Sequence, residues 1–250
     1  MTNQIENTRM RNLALIALFL SITLFTIFHE GYLGMITPLF WIILLTGFSI
    51  AIWLALKIST IRLVSLLLVI FIIEYIKETI GIRSGFWHYN GTGGSYNFGV
   101  WAWVLAGLIS YALATRVIIR LLRKLKIAWP GWLKVVIIIL VTLIIPLTLG
   151  DYAAGAGWMF WLFYAVLFIF AIYSAVKMEF IVLASIIIAS WLIGNPSEYV
   201  GSINSGVWTF TYDPHYPPFF LLFGCWPLEI LAQYQLSAFF AKEALDKDTF

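Results

Sequence analysis

Three charges interrupt an apolar run at Glu74, Lys77 and Glu78, and the run closes on the turn Gly85-Phe86-Trp87-His88-Tyr89. Side chains at three- and four-residue spacing share one helix face. Carboxyls placed there can hand protons to a substrate, line a path for protons or ions, or neutralise themselves against the lysine between them. A second copy occurs later in the chain. Glu78 aligns with Glu198 and Gly81 with Gly201 at an offset of 120 residues, and Gly85 with Gly206, Trp87 with Trp208 and Tyr89 with Phe210 at 121. Glu30 and Asp151, each followed four residues later by glycine, repeat the offset of 121. The pattern predicts an internal duplication, residues 1–125 forming one four-helix repeat and residues 126–250 the other.

A further acid, Glu229, lies 11 positions past Pro218, or about 16 Å along a helix. Nothing basic is near it in sequence, so it is expected to be an isolated carboxyl that keeps its proton. Trp87, Tyr89, Trp208 and Phe210 read either as members of an interfacial aromatic belt or as the walls of a pocket whose ring faces hold a flat polyene or a forming cation. The glycines at helical spacing also fit close helix approach.

These residues need elements that can carry charge inside apolar surroundings. Of the 250 residues 62% are apolar and 11% charged, against about 25% charged in soluble domains, so little charge could not cover a water-facing surface. The chain reads as an all-α, polytopic integral membrane protein. Spans are expected at about 13–28, 36–56, 63–82, 98–119, 135–149, 158–176, 180–194 and 218–241, the seventh breaking at Asn195-Pro196. The first ends in His29-Glu30-Gly31-Tyr32 without a cleavage pattern and is read as a retained helix rather than a signal peptide. All 15 lysines and arginines except Lys77 and Arg83 fall on one side of this arrangement, which puts both termini in the cytoplasm of a prokaryotic-type plasma membrane. The basic run from Arg116 to Lys134 reads as a phosphate-facing linker, not a nucleic-acid surface. The single cysteine, Cys225, excludes an internal disulfide, and no HExxH, HxxE or aspartate-rich pattern calls for a metal or other cofactor.

The segment GSINSGVWTF, a Pro-containing loop and CWPLEILAQYQLSAFF together resemble the lycopene cyclase domain of carotenoid biosynthesis, with its GxxxGxW turn and its PxEE sequence opening into FF. Pro227, Leu228 and Glu229 match the first three positions of PxEE, and Ile230 stands at the fourth. The segment ETIGIRSGFWHYN followed by FGVWAWVLAG is similar to the membrane carotenoid hydratases, with Ala106-Gly107-Leu108 in the place of PxEE. The resemblance implies a membrane-embedded isomerase or lyase that protonates an isoprenoid double bond from a carboxylic acid in a water-poor site, without a metal. On that reading Glu229 and Glu78 donate or relay the proton and Glu198 supports them. Glu74 and Lys77 complete the polar face, and Trp87, Tyr89, Trp208 and Phe210 contact the lipid. Two rival readings use the same residues: a small transporter or channel in which Glu74, Lys77, Glu78 and Glu229 line the path, and a structural membrane subunit whose acids lock helices together.

Overall fold

The computed structural model describes residues 60–90, 117–125, 130–199, 202–203, 206 and 208–242. The expected spans at 13–28 and 36–56, nearly all of that at 98–119, and Glu30, Gly34, Gly201, Trp101 and Trp103 lie outside the described residues. Within them the chain is mostly helical: α1 (Thr60–Arg83), α2 (Trp132–Thr148), α3 (Trp158–Lys177), α4 (Phe180–Ala189), α5 (Asn195–Tyr199) and α6 (Trp226–Ala241), with short strands β1 (Trp87–Tyr89) and β2 (Trp208–Phe210). Helix α3 is long and apolar enough to cross a membrane, and α2 and the helical segment Phe180–Leu192 are shorter apolar helices.

Helix α6 is the centre. Every residue from Trp226 to Gln235 is buried, and α1 and α3 pack against it. A helix enclosed on all sides is normally apolar all round. This one carries Glu229, Gln233, Gln235 and Ser237 into the interior, each with less than a tenth of its surface exposed. The polar groups therefore require partners from the surrounding helices, as Ser174 on α3 supplies by donating to Gln235 Oε1 at 2.7 Å.

The seventh expected span does not break at Asn195-Pro196. It widens through a π turn at Ser190–Gly194 and continues into α5. A second π turn, Phe220–Cys225, leads into α6. Each turn ends two residues before a proline, Pro196 or Pro227. A proline inside a helix removes one N–H and drives its ring against the carbonyl four residues back. Widening the preceding turn relieves the clash without ending the helix. The carbonyl of Phe223, four residues before Pro227, accepts the Trp191 indole N–H instead, at 3.4 Å.

The two turns that come after the duplicated glutamates meet each other. β1 and β2 pair antiparallel with Trp87 opposite Phe210, His88 opposite Thr209 and Tyr89 opposite Trp208. Exchanging each residue for its repeat mate returns the same pairing, so the ribbon has the register of a local two-fold centred on His88 and Thr209. Phe86, just before β1, packs edge-on against Tyr152, Phe160 and Phe220 with ring centroids 5.4, 5.3 and 5.8 Å away, which fixes the ribbon to α3 and to the second π turn. Gly85 and Gly206 enter the two strands at φ +68° and +58°, and a Cβ at either would meet nothing within 4 Å. Their requirement is thus one of backbone conformation alone. Gly85→Ala and Gly206→Ala should each cost about 1–2 kcal/mol in thermal or denaturant unfolding of the detergent-solubilised protein. Asn at either site should cost less than Ala, because Asn tolerates positive φ; equal stability of the Ala variants would contradict the assigned backbone.

Candidate functional site

Lys77 reaches into the space between α1 and α6. Its Nζ lies 2.6 Å from Glu74 Oε2, 3.4 Å from Glu78 Oε1 and 3.7 Å from Glu229 Oε2, and it sits 5.0 Å from the centroid of the Trp226 ring. Glu74 and Glu229 are 0% exposed, Lys77 4% and Glu78 5%. The spacing along α1 brings the first three together, and the α1–α6 contact adds the fourth. Lys77 is therefore the shared counter-ion of a buried cluster, not a side chain reaching out to an interface.

This corrects the expectation that Glu229 is isolated. Its ammonium neighbour comes from residue 77, on a different helix, and Tyr164 on α3 donates a hydrogen bond to its Oε1 at 2.9 Å. Its Oε2 makes no hydrogen bond. On the opposite side Gln233 Nε2, one turn below Glu229 on α6, donates to Glu74 Oε1 at 2.8 Å.

The tryptophans hold the acids directly. The Trp87 indole N–H and the Tyr89 hydroxyl both donate to Glu78 Oε2, at 2.8 and 3.0 Å. In the second copy the Trp208 indole donates to Glu198 Oε2 at 3.1 Å, and the Trp226 indole donates to Glu198 Oε1 at 3.0 Å. The Glu–Trp contact is thus repeated with its partners at matching positions. Gly81 makes the first contact possible, since a Cβ there would overlap the Trp87 ring. Trp87, Tyr89, Trp208 and Phe210 are all buried, unlike members of an interfacial belt, and Phe210 stacks edge-on against Trp87 at 6.2 Å.

The copies also differ. At the same offset Gly194 stands where Glu74 would fall, and Ser197 stands for Lys77. The Trp226 ring packs against Gly194, 3.3 Å from where a Cβ would be. Glu198, 8% exposed, consequently has two indole donors and, among the described residues, no ion pair. His88 and His215 are exposed and apart from the cluster. Among the described residues no group of three or more His, Cys, Asp or Glu has an arrangement able to hold a metal ion.

Tyr164, Gln233 and Trp226 were not singled out by sequence reasoning. Gln233 has a signal, lying four residues after Glu229 on the same helix face, and the order Pro-x-Glu, which occurs twice at Pro196-Ser197-Glu198 and Pro227-Leu228-Glu229, marks the stretch next to Trp226; no local signal marks Tyr164. Each of these glutamates lies four residues beyond the end of a π turn. No protein-family model, curated protein or solved structure matches the chain.

Removing the shared cation strands carboxyls in the interior, a change of the kind that costs about 3–5 kcal/mol. Lys77→Met should therefore lower unfolding stability by that amount in detergent. Adding Glu74→Gln should restore part of it, because the closest carboxylate no longer needs a counter-ion. A Lys77→Met protein that melts with the parent would show that the cluster is not held by its ammonium.

Proposed function

We propose that this chain is a polytopic membrane protein of eight spans with both termini cytoplasmic, and that its buried cluster is a proton-donating site acting on an isoprenoid or carotenoid-like lipid. The observation that carries the proposal is the surplus of acid: Glu74, Glu78 and Glu229 share one lysine, Glu198 is buried with indole donors and no ion pair among the described residues, and Glu229 Oε2 makes no hydrogen bond there. Keeping each unmatched carboxylate ionised in the interior costs several kcal/mol. Repulsion among carboxylates that share the one ammonium adds to the cost, and a single lysine can offset it for only one of them. Protonating an ordinary glutamate at pH 7 costs less, about 3.7 kcal/mol. The balance favours protons held in the cluster, and Glu229 Oε2 is the oxygen best placed to give one up.

The membrane setting is supported by the outward apolar faces. On α1 alone Ile61, Leu68, Ile72 and Tyr75 are each more than half exposed, a surface suited to lipid. The sequence resemblance of Pro227-Leu228-Glu229 supports the lipid class. In the proposed reaction the carboxyl O–H bond breaks as a C–H bond forms at one double-bond carbon, leaving a carbocation and the Glu229 carboxylate. Lys77 and Tyr164 stabilise that carboxylate, and indole faces stabilise the cation. A neighbouring double bond then captures the cation with return of a proton to the carboxylate, or water captures it with the same return. Cyclisation thus needs no further reagent, and hydration needs only the one water molecule that it consumes.

The π turns support a second reading. They sit one turn before Glu198 and Glu229, where local widening is common at functional sites and could let an acid swing between two sides of a transport path. Glu229→Gln separates the readings, because it keeps the shape but cannot donate an acidic proton. Gentle purification followed by mass spectrometry of co-purifying lipids should recover the same isoprenoid from parent and variant, with conversion abolished in Glu229→Gln. Full turnover by the variant would remove Glu229 as the acid. Loss of pH-driven solute uptake in proteoliposomes, with no lipid converted by the parent, would select transport.

A further inference from the structure

A groove of about 770 Å³ lies beyond the C-terminal end of α2, away from the buried cluster, and its lining includes Asp151, Tyr152, Asn195, Tyr199, Asp213 and Tyr216. None of its lining residues is basic. Asp151 and Asp213 are exposed, and neither forms an ion pair among the described residues. Asp213 uses Oδ1 alone, accepting the backbone N–H of His215 at 3.0 Å and of Tyr216 at 3.2 Å. Among the described residues the acidity of the groove is thus unneutralised.

The wall adds two observations independent of the carboxylates. Tyr152 is only 6% exposed, and among the described residues its hydroxyl has no hydrogen-bond partner of good geometry, although the backbone of Tyr212 and Asp213 lies close enough to oppose the effect of burial on its pKa. Burial pushes this hydroxyl up to about 12, so it remains a neutral phenol at any physiological pH. Asn195 is half-buried, and its covered Oδ1 has no partner among the described residues. Unpaired polar atoms of this kind are uncommon in folded proteins and call for a ligand or water. Two carboxylates and an amide oxygen are acceptors, and a phenol oxygen can accept as well. The rest of the groove is aromatic and apolar, with Pro217, Pro218, Phe219 and Leu222 beside the tyrosines. Tyrosine faces add attraction for a positive charge.

We propose that this groove binds an organic ammonium that still carries N–H donors. A quaternary ammonium would suit the rings and carboxylates but leave the buried acceptors unsatisfied. A bare divalent cation would want about six oxygen ligands, which two carboxylates on an aromatic wall do not provide. The ammonium can come from a free amine or from the headgroup of an aminolipid, since the chemistry recognised is the same.

The test uses the full chain in detergent, titrated calorimetrically with cyclohexylammonium chloride and with its trimethylated counterpart. The same chain is reconstituted in bilayers of phosphatidylethanolamine or phosphatidylcholine. Saturable binding of the primary ammonium, about tenfold weaker for the trimethylated ion and about tenfold weaker again in Asp151→Asn and Asp213→Asn, is the expected result. Asp213→Asn keeps an Oδ1 acceptor for the His215 and Tyr216 amides, so it reads the charge even if Asp151→Asn folds poorly. Stabilisation by phosphatidylethanolamine over phosphatidylcholine that is lost in Asp213→Asn, without binding of the soluble amine, supports the headgroup source. Overturning results are equal binding of the two ammonium ions, binding unchanged in both variants, or a calcium-only response.

Discussion

The fold of the described region depends on one buried ammonium. Lys77 touches carboxylates from its own helix and from α6, so the contact between α1 and the central helix is also the contact that balances charge. Taken separately, each ion placed in this interior would cost several kcal/mol. Together they are tolerable because each remaining acceptor has a donor from elsewhere: Gln233 for Glu74, Trp87 and Tyr89 for Glu78, Tyr164 for Glu229. Within this network the exceptions among the described residues are Glu229 Oε2 and the amide oxygen of Gln233, which make no hydrogen bond, and of these two only Glu229 Oε2 belongs to a group that can carry a proton to give up.

Two devices deliver the acids to this point. The Gly-Trp turns fold back and pair as a ribbon, so each duplicated glutamate receives an indole N–H from the strand next after it in the chain. The π turns before Pro196 and Pro227 shift the helical phase of the residues beyond them and carry Glu198 and Glu229 inward. Trp226 ties the two together, donating to Glu198 from its edge while its face lies under Lys77. At the positions that match Glu74 and Lys77 the later segment carries Gly194 and Ser197, and the Trp226 ring packs against Gly194.

Local spacing makes part of this legible in the sequence. Glu74, Lys77 and Glu78 share a face because 3.6 residues make a turn, and the offset of 120 to 121 residues by itself marks both Glu–Trp pairs. The helices at 132–148 and 158–177 fall within a few residues of the expected apolar runs. Long-range pairing is the part that local spacing does not carry. Glu229 reads as isolated because its counter-ion is more than a hundred residues away, and the sequence leaves Trp87 and Trp208 open between an aromatic belt and a pocket wall because burial is a property of the packed structure. Asn195-Pro196 reads as a helix end because proline usually is one; packing around the π turn reverses that preference.

The central claim is that the cluster holds protons which its single lysine cannot replace. Infrared difference spectroscopy of the detergent-solubilised protein between neutral and alkaline pH, in light and heavy water, measures this directly through the carbonyl stretch of protonated carboxyls. Such a band is predicted at neutral pH, shifted in heavy water and diminished in Glu229→Gln. A spectrum at neutral pH with every carboxyl ionised would contradict the claim.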